Sequence, residues 1–277
     1  MSTLRDIRRR LRSVENTKKI TDAMERVAAA QLRRAQEKAE QSRPYILKMK
    51  EILDRLTLSE HNNPLFEQRV VKKRALIVIS ADRGLSGSYN SNLLSAADNF
   101  LKKQVENTEL FLFGRKAIEH YKRGHWTVVE EFMGWGGKIS LSEVKQFSDK
   151  LIDLFLTHSL DEVWVIYTQY VTLMNRRVVL EKLLNIAPHA SEDNSTWINY
   201  IFEPNPEEIL ESMLPLYLAT HLQAAFDEAY AAELAARIIA MQVASKNSQE
   251  MINDLTLIRN KVRQEGITKE IIEIATH

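Results

Sequence analysis

The run best equipped for chemistry is Ser80-Ala-Asp-Arg-Gly-Leu-Ser-Gly-Ser-Tyr-Asn90, which sets a carboxylate, a guanidinium, serine hydroxyls and two glycines between an apolar segment and a helical one. That is where α/β enzymes bind phosphate or place a nucleophile. A nucleotide-dependent reaction using Asp82 and Arg83 is therefore one reading. The spacing argues against it. A phosphate loop needs Gly-x4-Gly-Lys-Ser/Thr, a dinucleotide fold Gly-x-Gly-x-x-Gly and a nucleophile elbow Gly-x-Ser-x-Gly, and this run meets none of them. The favoured reading is a tight strand-to-helix turn. In it Gly84 and Gly87 supply special backbone angles, and Asp82 or Ser86 bonds free amides at the helix start.

Other candidates thin out in the same way. The seven histidines show no pair at metal-ligand spacing beside carboxylates, and His120 and His125 straddle a helix end. Gly134-Trp-Gly-Gly137 has no lysine and hydroxyl to close a phosphate site and reads as a flexible turn. The absence of cysteine removes disulfides, thiolate metal sites and thiol nucleophiles. No catalytic residue, cofactor site or metal site is expected. Lys plus Arg is 38 against 37 for Asp plus Glu, so there is no global attraction to nucleic acid. The local basic excess at Arg5, Arg8, Arg9, Arg10, Arg12, Lys18 and Lys19, with Arg33 and Arg34, reads first as a solvated helix face.

The elements that must carry these residues are marked by glycine and proline. Seven of the eight glycines fall between Gly84 and Gly137. Residues 1–43 contain neither glycine nor proline and are rich in helix formers, which predicts one long helix from near Thr3, bent at Pro44 and running through Arg55. Pro206 followed by two glutamates is a good helix start, and little opposes helix from there to Ala275. From Pro215 such a helix spans about 90 Å, too long to be buried in its own fold.

The second helix carries a seam at alternating steps of four and three: Leu234, Ile238, Met241, Ser245, Ser248, Ile252, Leu255, Arg259 and Val262. The first opens with the same spacing at Leu4, Ile7, Leu11 and Val14, then drifts to Ile20, Met24 and Val27. Two such termini are expected to pair. Between them, apolar runs at 75–80, 109–113 and 162–167 read as buried strands. Helical stretches at 91–103, 115–122 and 141–156 separate them, and an edge strand is expected near 177–184. The expected fold is thus α plus α/β. A long antiparallel coiled coil of N- and C-terminal helices (1–58 and 207–277) flanks a central α/β, Rossmann-like domain (70–200) with a mostly parallel sheet. The longest uncharged run, Ser212–Phe226, is shorter than the roughly 18 residues of a spanning helix, so the protein is expected to be soluble or peripheral. The Arg-rich start is interrupted by Asp6 and Glu15, lacks a small-residue cleavage pattern, and is expected to be part of the mature protein.

Three segments, in order along the chain, carry a resemblance. Val14–Ala30 holds Lys-Ile-Thr, Ala-Met and Val-Ala-Ala in register, Ser80–Asn92 has Asp-Arg-Gly-Leu-x-Gly followed by Asn-Ser-Asn, and Ala240–Asn247 with Leu255–Ile274 includes Arg263, Gln264 and Ile267–Ile274. Together they resemble the gamma subunits of F-type rotary ATP synthases, and the likeness covers almost the whole chain. It implies a non-catalytic central shaft coupling ion flow to ATP synthesis or hydrolysis in the beta subunits. The implied partners are three alpha and three beta subunits, an epsilon subunit against the α/β domain, and the membrane c-ring. No nucleic acid is among them. By the same likeness Arg263, Gln264 and Thr268 contact a beta-subunit loop, Met24 lies near a lever region of beta, and Arg9, Arg10, Arg33 and Arg34 face acidic ring surfaces. Tyr200, Phe202 and Glu203 resemble the foot on the membrane ring. The implied place is the cytoplasmic side of a bacterial plasma membrane, peripherally bound. The competing reading is a coiled-coil adaptor with an inactive α/β domain.

Overall fold

The computed structural model describes residues 3–59, 64–67, 69–103, 107–137, 139–186 and 205–275. The chain divides into two compact units, residues 1–30 with 237–277 and residues 31–236. Two long helices, α1 (Leu4–Ser59) and α5 (Pro206–Ala275), contribute to both. α1 continues through Pro44 without a break, and Pro206 opens α5 as expected. Asn205 caps α5: its carbonyl oxygen accepts from the Glu208 amide at 2.9 Å and its amide donates to the Glu208 carboxylate at 2.6 Å.

Residues 31–236 build an α/β unit. Its strands are β1 (Lys73–Ile79), β2 (Asn107–Phe113), β3 (Thr127–Phe132), β4 (Glu162–Tyr170) and β5 (Arg176–Leu184), in the order β3-β2-β1-β4-β5. The first four strands run parallel and β5 is antiparallel to β4, the edge strand expected near 177–184. The helices α2 (Tyr89–Lys103), α3 (Arg115–Tyr121) and α4 (Leu141–Leu156) occupy the expected gaps. α4 starts on a capping box in which Ser140 and Glu143 each bond the other's backbone amide. One face of the sheet is covered by α2 and α3, through Leu93, Leu101 and Ile118. The other is covered by α4 and the first third of α5, through Phe147, Phe155, Leu218 and Phe226, with Met49 and Leu53 of α1.

β3 is the strand that the sequence pattern does not announce. Thr-Val-Val-Glu-Glu-Phe has two carboxylates and no clean alternation, because a bulge shifts the register from Leu110↔Val128 to Phe111↔Glu130.

The strand-end loop is a hub. The Ser80 hydroxyl is fully buried and donates to the Phe113 carbonyl at 2.9 Å while accepting from the Ala117 amide at 2.9 Å. The Trp135 indole donates to the Ser80 carbonyl at 3.1 Å. Asp82 bonds amides, though not at the start of α2: it accepts from Arg115 of α3 (3.2 Å), Gly134 (2.9 Å) and Gly136 (3.1 Å). Gly87 takes a positive φ of 57° as expected, but the second such residue in the turn is Leu85 (φ 63°), not Gly84. The segment 134–137 is pinned by these bonds and by Trp135 packing edge-on to Phe226, so it is a fixed turn rather than a flexible one.

Glu162 ties three strands together. It accepts from Arg74 (2.8 Å), Lys182 (2.7 Å) and the Trp164 indole (3.1 Å). Burial pushes its carboxyl up, and the bonds from Lys182, Arg74 and Trp164 outweigh this and hold it below the usual glutamate range. A depressed folded value contributes stability above the unfolded value of about 4.3, lost as pH falls through the folded value. Glu162→Gln is therefore expected to lower stability at pH 7 and to flatten the loss on acidification, read by urea unfolding across pH. Gly137 has φ +73°, and a Cβ there would lie 2.3 Å from the Tyr230 ring, whereas Gly134, at φ +78°, has open space around its Cβ position. Gly134→Ala is expected to lose about 1–3 kcal/mol of stability through added backbone strain alone, and Gly137→Ala distinctly more, by the same measurement.

Candidate functional site

Residues 3–30 of α1 and 237–275 of α5 form the second unit, and its seam is set by a heptad. Ile7, Val14, Thr21 and Ala28 recur every seven residues, interleaved with Leu11, Lys18 and Glu25. Ile7, Leu11, Thr21 and Ala28 are buried, as are Ile238, Met241 and Ser248 on α5. The drift expected toward Ile20 and Val27 does not occur: these are 59% and 58% exposed, and Met24 is half-buried. The reason is geometric. A 3.5-residue repeat keeps two helices wound left-handedly in contact, and here it passes through the polar Thr21 and the small Ala28.

Side-chain hydrogen bonds cross the seam. The Ser245 hydroxyl donates to Asp22, and the Gln242 amide donates to Glu25 at 2.9 Å. The Ser245 bond, followed by Lys18 at 3.1 Å, holds the Asp22 carboxyl below its ordinary value, so it stays charged. These pairs fix an antiparallel register that, carried forward, places Leu4 opposite Arg263. Residues 264–275 of α5 thus extend past the start of α1. There Ile267, Ile271, Ile272 and Ile274 are exposed, beside Leu257 and Ile258 in the preceding turns.

The candidate contact residues distribute along this pair. Arg263, Gln264 and Thr268 are exposed on neighbouring turns of α5, and the Thr268 hydroxyl donates to the Gln264 carbonyl at 2.9 Å. Arg263 and Gln264 make no side-chain hydrogen bond or ion pair among the described residues. By the same register Met24 sits opposite Val243, about 30 Å along α5 from Arg263. The structure therefore does not gather these residues into one pocket. Arg9 and Arg10 are exposed, with Arg9 paired to Asp6 at 3.3 Å. Arg33 and Arg34, in the other unit, are also exposed, and Arg33 pairs with Glu37 at 3.4 Å. Tyr200, Phe202 and Glu203 lie outside the described residues.

In the α/β unit, both Asp82 carboxylate oxygens are engaged by backbone amides, and Arg83 is exposed. His120 pairs with Asp98 and His221 with Glu181, each at 3.0 Å. Among the described residues no helix is long and apolar enough to cross a membrane.

A family model described as ATP synthase matches residues 3–276. An ATP synthase gamma chain of Protochlamydia amoebophila is 47% identical over 279 residues, covering 100% of this chain and 98% of that one. The chain belongs to the ATP synthase gamma-chain family. A gamma chain of Nostoc punctiforme is 38% identical, covering 99% of this chain and 98% of its own. The same fold occurs in a Euglena gracilis mitochondrial ATP synthase rotor (TM-score 0.65, 15% identity, 95% of this chain and 98% of that one). It also occurs in the central stalk and c-ring structure of the Tetrahymena thermophila enzyme (TM-score 0.62, 21% identity, 82% and 99%).

The heptad predicts opposite responses at neighbouring apolar positions. Leu11→Ala, in the seam, is expected to cost about 2–5 kcal/mol. Ile20→Ala, on the exposed face, is expected to stay within about 0.5 kcal/mol. Denaturant unfolding followed by helical circular dichroism measures both.

Proposed function

We propose that this chain, a gamma subunit in the central stalk of an F-type ATP synthase, turns inside a ring of three alpha and three beta subunits and catalyses nothing by itself. The observation that carries the reading is the end of α5. Past the start of α1, an exposed isoleucine-rich stretch stands next to Arg263, Gln264 and Thr268. An exposed apolar patch of this kind marks an interaction surface. A surrounding sleeve would cover the isoleucines, while the polar trio would bond a beta-subunit loop. Met24 and the basic side chains Arg9, Arg10, Arg33 and Arg34 would meet acidic ring surfaces lower on the shaft, where charge orients contacts more than it tightens them.

An asymmetric shaft touches three identical beta subunits differently and so biases each toward a different conformation; turning it permutes the three states. Of the polar seam residues, Ser248 is buried and donates to the Ala244 carbonyl of its own helix, whereas Ser245 bonds Asp22 across the seam. The Ser245 bond helps to set the register. An epsilon subunit against the α/β unit and a foot at Tyr200, Phe202 and Glu203 on the membrane c-ring complete the reading. This chain would sit peripherally on the cytoplasmic face of a bacterial plasma membrane.

With Asp82 already bonded to three amides, the strand-end loop lacks a free carboxylate, which supports the absence of independent catalysis. The purified chain is expected to show no nucleotide turnover; hydrolysis that Asp82→Ala abolishes would overturn this. In the assembled complex, Arg263→Ala with Gln264→Leu removes hydrogen bonds of about 1 kcal/mol each and is expected to reduce ion-driven ATP synthesis in membrane vesicles by roughly thirtyfold. Unchanged synthesis would strike these residues from the interface. Copurification without alpha and beta subunits would favour the adaptor reading instead.

A further inference from the structure

The sheet order leaves two edge strands, and they are treated differently. β5 is guarded by charge: Arg176, Arg177, Glu181 and Lys182 lie along it, with Lys182 bonded to Glu162 and Arg177 to Gln169. Charged side chains of this kind discourage a further strand from adding. β3 carries charge of one sign only, at Glu130 and Glu131, which repels a like or acidic strand and attracts a basic one, and among the described residues it pairs only with β2. Val129 and Met133, along it and just past its end, are 41% and 63% exposed.

The bulge at Val129 has a consequence for the face toward α4. By skipping one residue it turns Glu130, and Phe132 after it, to the side opposite Val128, over a groove of about 560 Å³ between the end of β3 and α4. Bulges recur where a side chain must be re-aimed. Phe132 forms an aromatic wall of this groove, stacked on Phe113 at 4.3 Å and edge-on to Phe147 at 5.5 Å. Around it stand Glu130, Glu131 and Glu143 against Lys150, which pairs with one oxygen of Glu130. The other Glu130 oxygen is buried and has no hydrogen-bond partner among the described residues. The volume lies in the range of ligand-binding clefts, and the described rim is acidic.

We propose that the open edge of β3 and this groove form a docking surface for an extended, basic segment of a partner chain. The segment adds as a strand beside β3, rests an apolar side chain on Phe132, and sets its basic side chains against Glu131 and its acidic neighbours. Edge addition supplies main-chain hydrogen bonds, and the groove selects the alternate side chains. The inference rests on the α/β unit alone and stands apart from the rotor reading.

The test uses the full chain and an end-blocked hexapeptide of alternating lysine and valine, with a glutamate-for-lysine peptide and a backbone N-methylated lysine peptide as controls. The expected result is saturable binding of the lysine peptide by calorimetry, with amide resonance changes along β3 and α4. The glutamate peptide should not bind, and N-methylation should abolish binding. Glu131→Gln should weaken binding about tenfold, and Glu131→Lys more, with circular dichroism unchanged. Equal binding of the lysine and glutamate peptides, or resonance changes away from β3, would overturn the proposal. Self-association of the chain that Val129→Lys abolishes would assign the edge to a second copy and would equally overturn it.

Discussion

An apolar stripe that repeats every seven residues on a helix of 3.6 residues per turn slowly rotates around the axis, and it stays covered only if a second helix winds with it. α1 carries such a stripe from Ile7 through Ala28, and the matching stripe on α5 runs through Ile238, Met241 and Ser248. The direct bonds Asp22–Ser245 and Glu25–Gln242 then settle which turn faces which. From this register follows where α5 outlasts α1, and so which residues stand uncovered at the end of the pair.

The α/β unit solves a different problem. Its sheet needs both faces hidden, and α5 serves one of them with densely apolar turns, Leu210, Leu214, Leu218, Leu222 and Phe226. At the strand ends a single carboxylate, Asp82, collects the first amide of α3 and two amides of the 134–137 turn, while Trp135 reaches the Ser80 carbonyl. At the place where related architectures bind phosphate, the carboxylate of this loop accepts from the backbone of α3 and of the 134–137 turn. These bonds hold the turn in place, and Trp135 of the turn packs on Phe226 and Tyr230 of α5.

Much of this was legible in residue order. The two long helices followed from the absence of glycine and proline, and β1, β2, β4 and β5 from short apolar or β-branched runs between polar boundaries. The proximity of Arg263, Gln264 and Thr268 needed only helical spacing. β3 was hidden because its bulge breaks the alternation by which a strand is recognised, and two of its residues are charged. The true seam was hidden because Thr21 and Ala28 are not strongly apolar, whereas Ile20 and Val27, one residue away, are. The grip of Asp82 on 134–137 joins residues 52 and 54 positions apart, and no local pattern encodes it.

By itself, then, the sequence determined what each stretch of backbone becomes, because helix and strand preferences depend on neighbours a few residues away. Its motifs also carried the likeness to a rotary shaft. Only the tertiary structure decided which side of each element is covered, since coverage depends on a partner surface far along the chain. That decision turned Ile20 outward, consumed Asp82, aimed Glu130 over a groove and left the last turns of α5 bare.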